Sequence, residues 1–242
     1  MAAQRSRNKK ARRPRRSFAG RKKFIKSVAL SLAETKMKVI PFSNLNLTTS
    51  TFSAFDLNSM DQGDLGSTRD GSQIICRGFH IKGYMFNRSF LEPVMVRMLI
   101  IKGKRGVETN VTGSQAMFTD GIEKKSYNDI TAQALYYPVD KTRFSVLYDK
   151  IYKLGVTSDP NTLTTTTMYS GVDARSSGQL LNIWINGRDQ RLNFTQSDND
   201  TTPDVRYHLV IIPVQYDRTQ TVAVGGSNVT FNMLGRFYYK DP

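Results

Sequence analysis

The chain holds one cysteine, one tryptophan and two histidines in 242 residues, and each scarcity removes a class of function. A lone Cys76 can neither close an internal disulfide nor build a zinc site on several thiolates, and it suits a reducing compartment. His80 and His208 add too few ligands to make a transition-metal site, so both are expected to be satisfied structural residues. No stretch approaches the roughly 18 apolar residues that cross a bilayer, and the start is too polar for a signal peptide. The sequence carries no GKS or GKT phosphate loop, nucleophile elbow, HExxH pair or evident base beside Cys76. An enzyme is therefore not expected, and neither is a cofactor.

Negative charge is also missing from one end, where the first acid is Glu34. Before it stand Arg5, Arg7, Lys9, Lys10, Arg12, Arg13, Arg15, Arg16, Arg21, Lys22, Lys23 and Lys26, twelve of the 35 Lys and Arg in a chain of formal charge +15. The remaining residues, 27–242, carry only +3. Residues 1–26 thus read as a disordered, Arg/Lys-rich arm that binds nucleic acid, because so few of its residues can be buried and a polyanion is what neutralises it. Such an arm follows a flexible single strand without reading its sequence, and binds RNA and DNA alike. Fully extended it reaches roughly 90 Å. Lys9, Lys10, Arg12, Arg13, Arg15 and Arg16 also form a basic cluster suited to nuclear import.

Residues 27–70 are expected to form a leader. Phe24, Ile25, Val28, Ala29 and Leu32 recur at helical spacing, Pro41 closes whatever 36–40 forms, and one short edge strand falls around 51–55. From Gly71 onward strand signatures alternate with turn clusters, and no long helical period occurs. Strands are predicted at 75–85, with Gly78 and Gly83 as candidate bulges. Further strands are predicted at 94–102, 143–154, 179–186, 205–216 and 228–240. The run at 94–102 is apolar enough to be covered on both faces. In 143–154, Phe144, Val146, Tyr148 and Tyr152 are placed on one side. The long connection 103–140 is read as a short helix at 114–124 and a short strand at 134–139, and 155–177 as a loop with an extended edge. About eight strands result, the number a jelly roll needs, so the expected fold is all-β: a single eight-stranded antiparallel jelly-roll sandwich over residues 71–242.

Several segments, taken in order, resemble one family. They are the Arg/Lys-rich start, Ala33-Glu34-Thr35-Lys36, Asp61-Gln62-Gly63 leading to Arg69-Asp70-Gly71, then Val96-Arg97-Met98-Leu99-Ile100-Ile101. Tyr137-Pro138-Val139, the run from Phe144 to Lys150 and an aromatic final strand follow. The pattern resembles the capsid (coat) proteins of small circular Rep-encoding single-stranded DNA viruses, and their structural cousins among satellite RNA viruses. That resemblance implies an icosahedral T=1 shell of about 60 copies, a packaged single-stranded genome that is DNA, and a virion that assembles in the host nucleus. A host receptor would meet the long loops.

Trp184 alternates with Asn182 and Asn186 opposite Leu181, Ile183 and Ile185. It lies in the core, or anchors a subunit contact, or stacks a base; the subunit interface is the sharper expectation, since buried aromatics dominate interface energy. Asp198, Asp200 and Asp204, and likewise Asp61 and Asp64, read as polar surface loops before they read as calcium ligands between subunits. The competing class is a cellular single-stranded nucleic-acid-binding β-barrel protein with a basic tail. Such proteins combine aromatic and basic residues on one sheet face, whereas here the basic charge looks segregated from the aromatic strands.

Overall fold

The computed structural model describes residues 35–47, 52–63, 67–88, 93–105, 111, 116–130, 133–155, 177–194, 203–215 and 229–241. The expected helix around Phe24 to Leu32 and the threonine-rich segment of 155–177 lie outside them. Among the described residues ten strands are formed: β1 Thr35–Leu47, β2 Ser53–Asp56, β3 Gln73–Asn87, β4 Val94–Gly103, β5 Ala116–Thr119, β6 Lys124–Ser126, β7 Phe144–Leu154, β8 Gly178–Asn193, β9 Tyr207–Gln215 and β10 Val229–Lys240. One turn of helix, α1, spans Tyr127–Ile130.

Eight of the strands make two four-stranded sheets, ordered β1-β10-β3-β8 and β2-β9-β4-β7. The pairings β1 with β10, β2 with β9, β3 with β8 and β4 with β7 are all antiparallel. The chain is therefore a doubled-back ribbon whose two halves run side by side. Rolling it brings β10 against β3 and β9 against β4, which is the eight-stranded jelly roll with its two Greek keys.

The roll starts earlier than residue 71. β1 and β2, within the expected leader, each pair with a late strand, and Leu57, Asn58 and Met60 are buried. Asn58 accepts from the Tyr207 amide at 2.9 Å and donates to the Val205 carbonyl at 2.7 Å. Nor does Pro41 end its segment: it pairs in register with Leu234 inside β1. β1 is an edge strand, so the donor that proline lacks is not needed on its open side.

Alternation produces the core. Phe79, Ile81, Met85, Phe231, Phe237 and Tyr239 of one sheet meet Val96, Met98, Ile100, Tyr207, Leu209 and Ile211 of the other. Phe79 stacks on Phe237 at 4.9 Å and reaches Tyr207 in the opposite sheet at 4.8 Å. β4 is buried on both faces, because Leu99 and Ile101 point away from this core into a second cluster with Val210, Ile212, Phe118 and Leu135.

That second cluster is the work of the 103–140 connection. Instead of a helix at 114–124 there is a hairpin, β5 with β6, turned by Asp120-Gly121. The Asp120 carboxylate accepts from the amides of Ile122 and Glu123, and Gly121 adopts φ 96°. Residues 134–139 form turns with one bridge, Phe118 to Val139, rather than a strand.

Two further expectations change. In β7 the register slips at the Ile100/Ile101 step, and an extra residue in one strand sends all later side chains to the other face. Phe144 consequently sits in the outer cluster and Tyr152 in the inner one. Of the two glycines, Gly78 borders a bulge, whereas Gly83 pairs regularly with Met233 and Leu181. Among the described residues no helix is long and apolar enough to cross a membrane.

Candidate nucleic-acid and subunit interface

The twelve cations of the arm, including the basic cluster from Lys9 to Arg16, lie outside the described residues, as do Asp64, Asp198 and Asp200. What the structure places is the point where the arm's chain enters the sandwich. Next to Thr35, Lys36 donates to Asp70 at 2.7 Å and pairs with Asp241 at 2.9 Å. These contacts tie the start of β1 to the approach to β3 and the end of β10. They also hold the ammonium pKa above its ordinary range.

Trp184 lies outside the core. Leu181, Ile183 and Ile185 fill the sandwich, while Trp184 is 54% exposed on the outer face of the β1-β10-β3-β8 sheet. Register places the residues of this face in rows. Met37, Tyr238, Gly78 and Asn186 form the first; Val39, Arg236, His80 and Trp184 the second; Pro41, Leu234, Lys82 and Asn182 the third. Asn232, Tyr84 and Leu180 follow, then Asn46, Thr230, Phe86 and Gly178.

The rings of this face support one another. Trp184 lies 5.5 Å from Tyr238 and 5.8 Å, edge-on, from His80. A Cβ on Gly78 would come within 3.0 Å of the indole, so glycine leaves the floor on which the ring rests. His80 Nε2 is 2.8 Å from Asn182 Oδ1, and Asn232 donates to the Tyr84 hydroxyl at 3.2 Å. Tyr84 stacks near Phe86 at 6.0 Å. Met37, Val39, Tyr84, Leu180 and Leu234 are exposed beside Trp184. The charge segregation expected from sequence does not hold here, because Lys82 and Arg236 stand among the aromatics. The signal was Lys82 and Arg236, each standing in alternation with the core residues of its strand.

His208 is buried and its Nδ1 lies 2.6 Å from Asp56 Oδ1. That contact holds the Asp56 carboxyl below the ordinary carboxylate range, against the opposing effect of burial. Cys76 is buried, and desolvation pushes its thiol up to about 12, the opposite of an activated nucleophile. Asp204 is already engaged, accepting from the Asn193 amide and side chain and pairing with Arg105 at 2.7 Å. Among the described residues, no three His, Cys, Asp or Glu side chains gather as a metal site would require.

Sequence reasoning passed over the role of Arg97, the charge in the middle of β4, whose other charge, Lys102, lies near its end. It is 4% exposed and grips Asp149 with two bonds, Nε at 2.9 Å and a terminal nitrogen at 2.6 Å. It also donates to the carbonyls of Ala134 and Tyr137, each at 2.7 Å. One guanidinium thus joins two strands to the outer layer, a use that suits its planar set of donors.

No family model matches the chain, and no curated relative matches it. Among solved structures, a chain of Desmodium yellow mottle tymovirus aligns over 100% of this chain and 94% of that chain, with 10% identity and a TM-score of 0.38. A score that low does not define a shared fold, and the jelly-roll assignment stands on strand order and register alone.

Proposed function

We propose that this chain is the coat protein of a small non-enveloped icosahedral virus, self-assembling into a shell and packaging a single-stranded genome through its basic arm. The observation that carries the proposal is a jelly roll preceded by a run of twelve cations that no acid interrupts, over residues 1–26. Among the described residues the roll leaves long edge strands open, 13 residues in β1 and 16 in β8. Open edges are aggregation liabilities in a monomer and are relieved when copies cover one another. In this reading the shell has T=1 symmetry and about 60 copies, the genome is DNA, the basic cluster directs nuclear import, and no metal or cofactor takes part. Particles purified from cells would protect a nucleic acid from nuclease until disrupted, and DNase would then remove it while RNase would not. Naked, nuclease-sensitive protein would contradict the proposal.

The mixed aromatic and basic sheet face favours one second reading, a cellular single-stranded nucleic-acid-binding β protein. That protein would stay monomeric or form small oligomers, where the coat protein forms particles.

A further inference from the structure

The outer face of the β1-β10-β3-β8 sheet has its own chemistry. Across its rows, from Met37 to Asn186 and from Asn46 to Gly178, stand Arg236 and Lys82 with Trp184, Tyr238, Tyr84 and His80, and no Asp or Glu. Beyond them on β8, Asp189 is taken by Arg77 at 2.5 Å. We infer that this face is a second binding surface for single-stranded nucleic acid, stacking bases on Trp184 and Tyr84 and setting phosphates against its Lys82 and Arg236 and against Lys150 of the neighbouring β7. The inference rests on the reading of the chain as a protein that packages nucleic acid, and it adds a site separate from the arm.

Charge opposes a second copy that presents the same face. Two such faces brought together would set Lys82 and Arg236 against cations, with no carboxylate to receive them, and like-charge contact across an interface is repulsive. A polyanion neutralises the same residues and releases its own counterions. Aromatic rings interleaved with cations suit unpaired nucleotides, because every base offers a face for stacking. Trp184 at 54% and Tyr84 at 43% exposure have surface to give. Exposed Asn182 and Asn186, whose side-chain oxygens meet His80 and the Arg188 amide, offer their amide donors to base edges. Beside Trp184, where β8 passes β7, a groove of about 440 Å³ is lined by Tyr148, Lys150, Leu180 and Asn182. It gives a nucleotide room next to the indole and a cation on its far side. The chain enters the sandwich at β1, an edge strand of this same sheet.

Trp184 is the only tryptophan, which makes its emission a direct reporter. The full chain is titrated with a short oligothymidylate and, separately, with inorganic polyphosphate, a polyanion without bases. The oligonucleotide quenches the emission, whereas polyphosphate binds without quenching. Trp184→Ala weakens oligothymidylate binding about tenfold and leaves polyphosphate binding unchanged, and Trp184→Phe retains the affinity. Lys82→Glu with Arg236→Glu lowers the salt slope by about 1.4. Oligonucleotide binding with unchanged emission overturns the inference and leaves packaging by the arm intact. So does an emission shift on raising protein concentration alone that prevents later quenching, because copies then cover the face. Failure to bind either polyanion sinks both this inference and the packaging function.

Discussion

Cys76 lies against the backbone of residue 187, where a Cβ would stand 2.4 Å from its sulfur. Burial raises its thiol from 9.0 to about 12, so the folded state favours the neutral form. The stability linked to that group is full below about pH 9 and is lost as pH rises toward the folded value. Alkylating reagents at about pH 8 should leave Cys76 unmodified in the folded protein and label it in denaturant; rapid native labelling, read by mass spectrometry, would contradict this. Asp56 works in the opposite sense. Its folded pKa lies below 3.8, so its contribution is present above that value and disappears as pH falls through the folded one. Asp56→Asn should flatten the acid limb of the denaturation midpoint below about pH 4, and an unchanged limb would count against the Asp56–His208 pair. The sequence showed His208 as a structural residue. It could not show the partner, because Asp56 is brought alongside only by the pairing of β2 with β9. For Trp184, alternation separated two sets of side chains without saying which faced the core. The volume of the sandwich, filled by Leu181, Ile183 and Ile185, decides that.

Strand existence and type were legible in β3, β4, β8, β9 and β10, where period-two alternation or an unbroken apolar run reflects burial directly. Connections and register were harder. Asp120-Gly121 between two short apolar-polar segments is a strong hairpin signal, and it outweighs the short helix expected at 114–124. β1 was hidden by Pro41, whose effect depends on whether a strand has one neighbour or two. The bulge in β7 leaves no composition mark, since it comes from matching an 11-residue strand to β4. Arg97 carries the clearest energetic expectation at this scale. Removing it leaves the Ala134 and Tyr137 carbonyls and the half-buried Asp149 without a donor. Arg97→Leu should cost about 2–4 kcal/mol in urea denaturation, and faster amide exchange should appear in residues 116–140. A loss under about 0.5 kcal/mol, the range of ordinary surface substitutions, would show that the apolar cluster alone holds the layer.

Charge across the whole molecule divides into +12 over residues 1–26 and +3 over residues 27–242. That division was readable from charge positions alone. The nesting of the strands was not, because it depends on pairs such as Thr35 with Lys240, from opposite ends of the chain. Full engagement of the arm gives a slope of log affinity against log salt of about −8 on single strands. Deleting residues 1–26 should remove most of it, and an unchanged slope would place the binding elsewhere. Assembly is the central claim, and the mass of the purified protein in solution tests it most directly. About 60 copies of a 27.4 kDa chain make a particle of about 1.6 MDa. Sedimentation should find that species once a single-stranded polynucleotide is present at moderate salt. A chain that sediments as a monomer at every concentration, with polynucleotide or without it, would contradict the account.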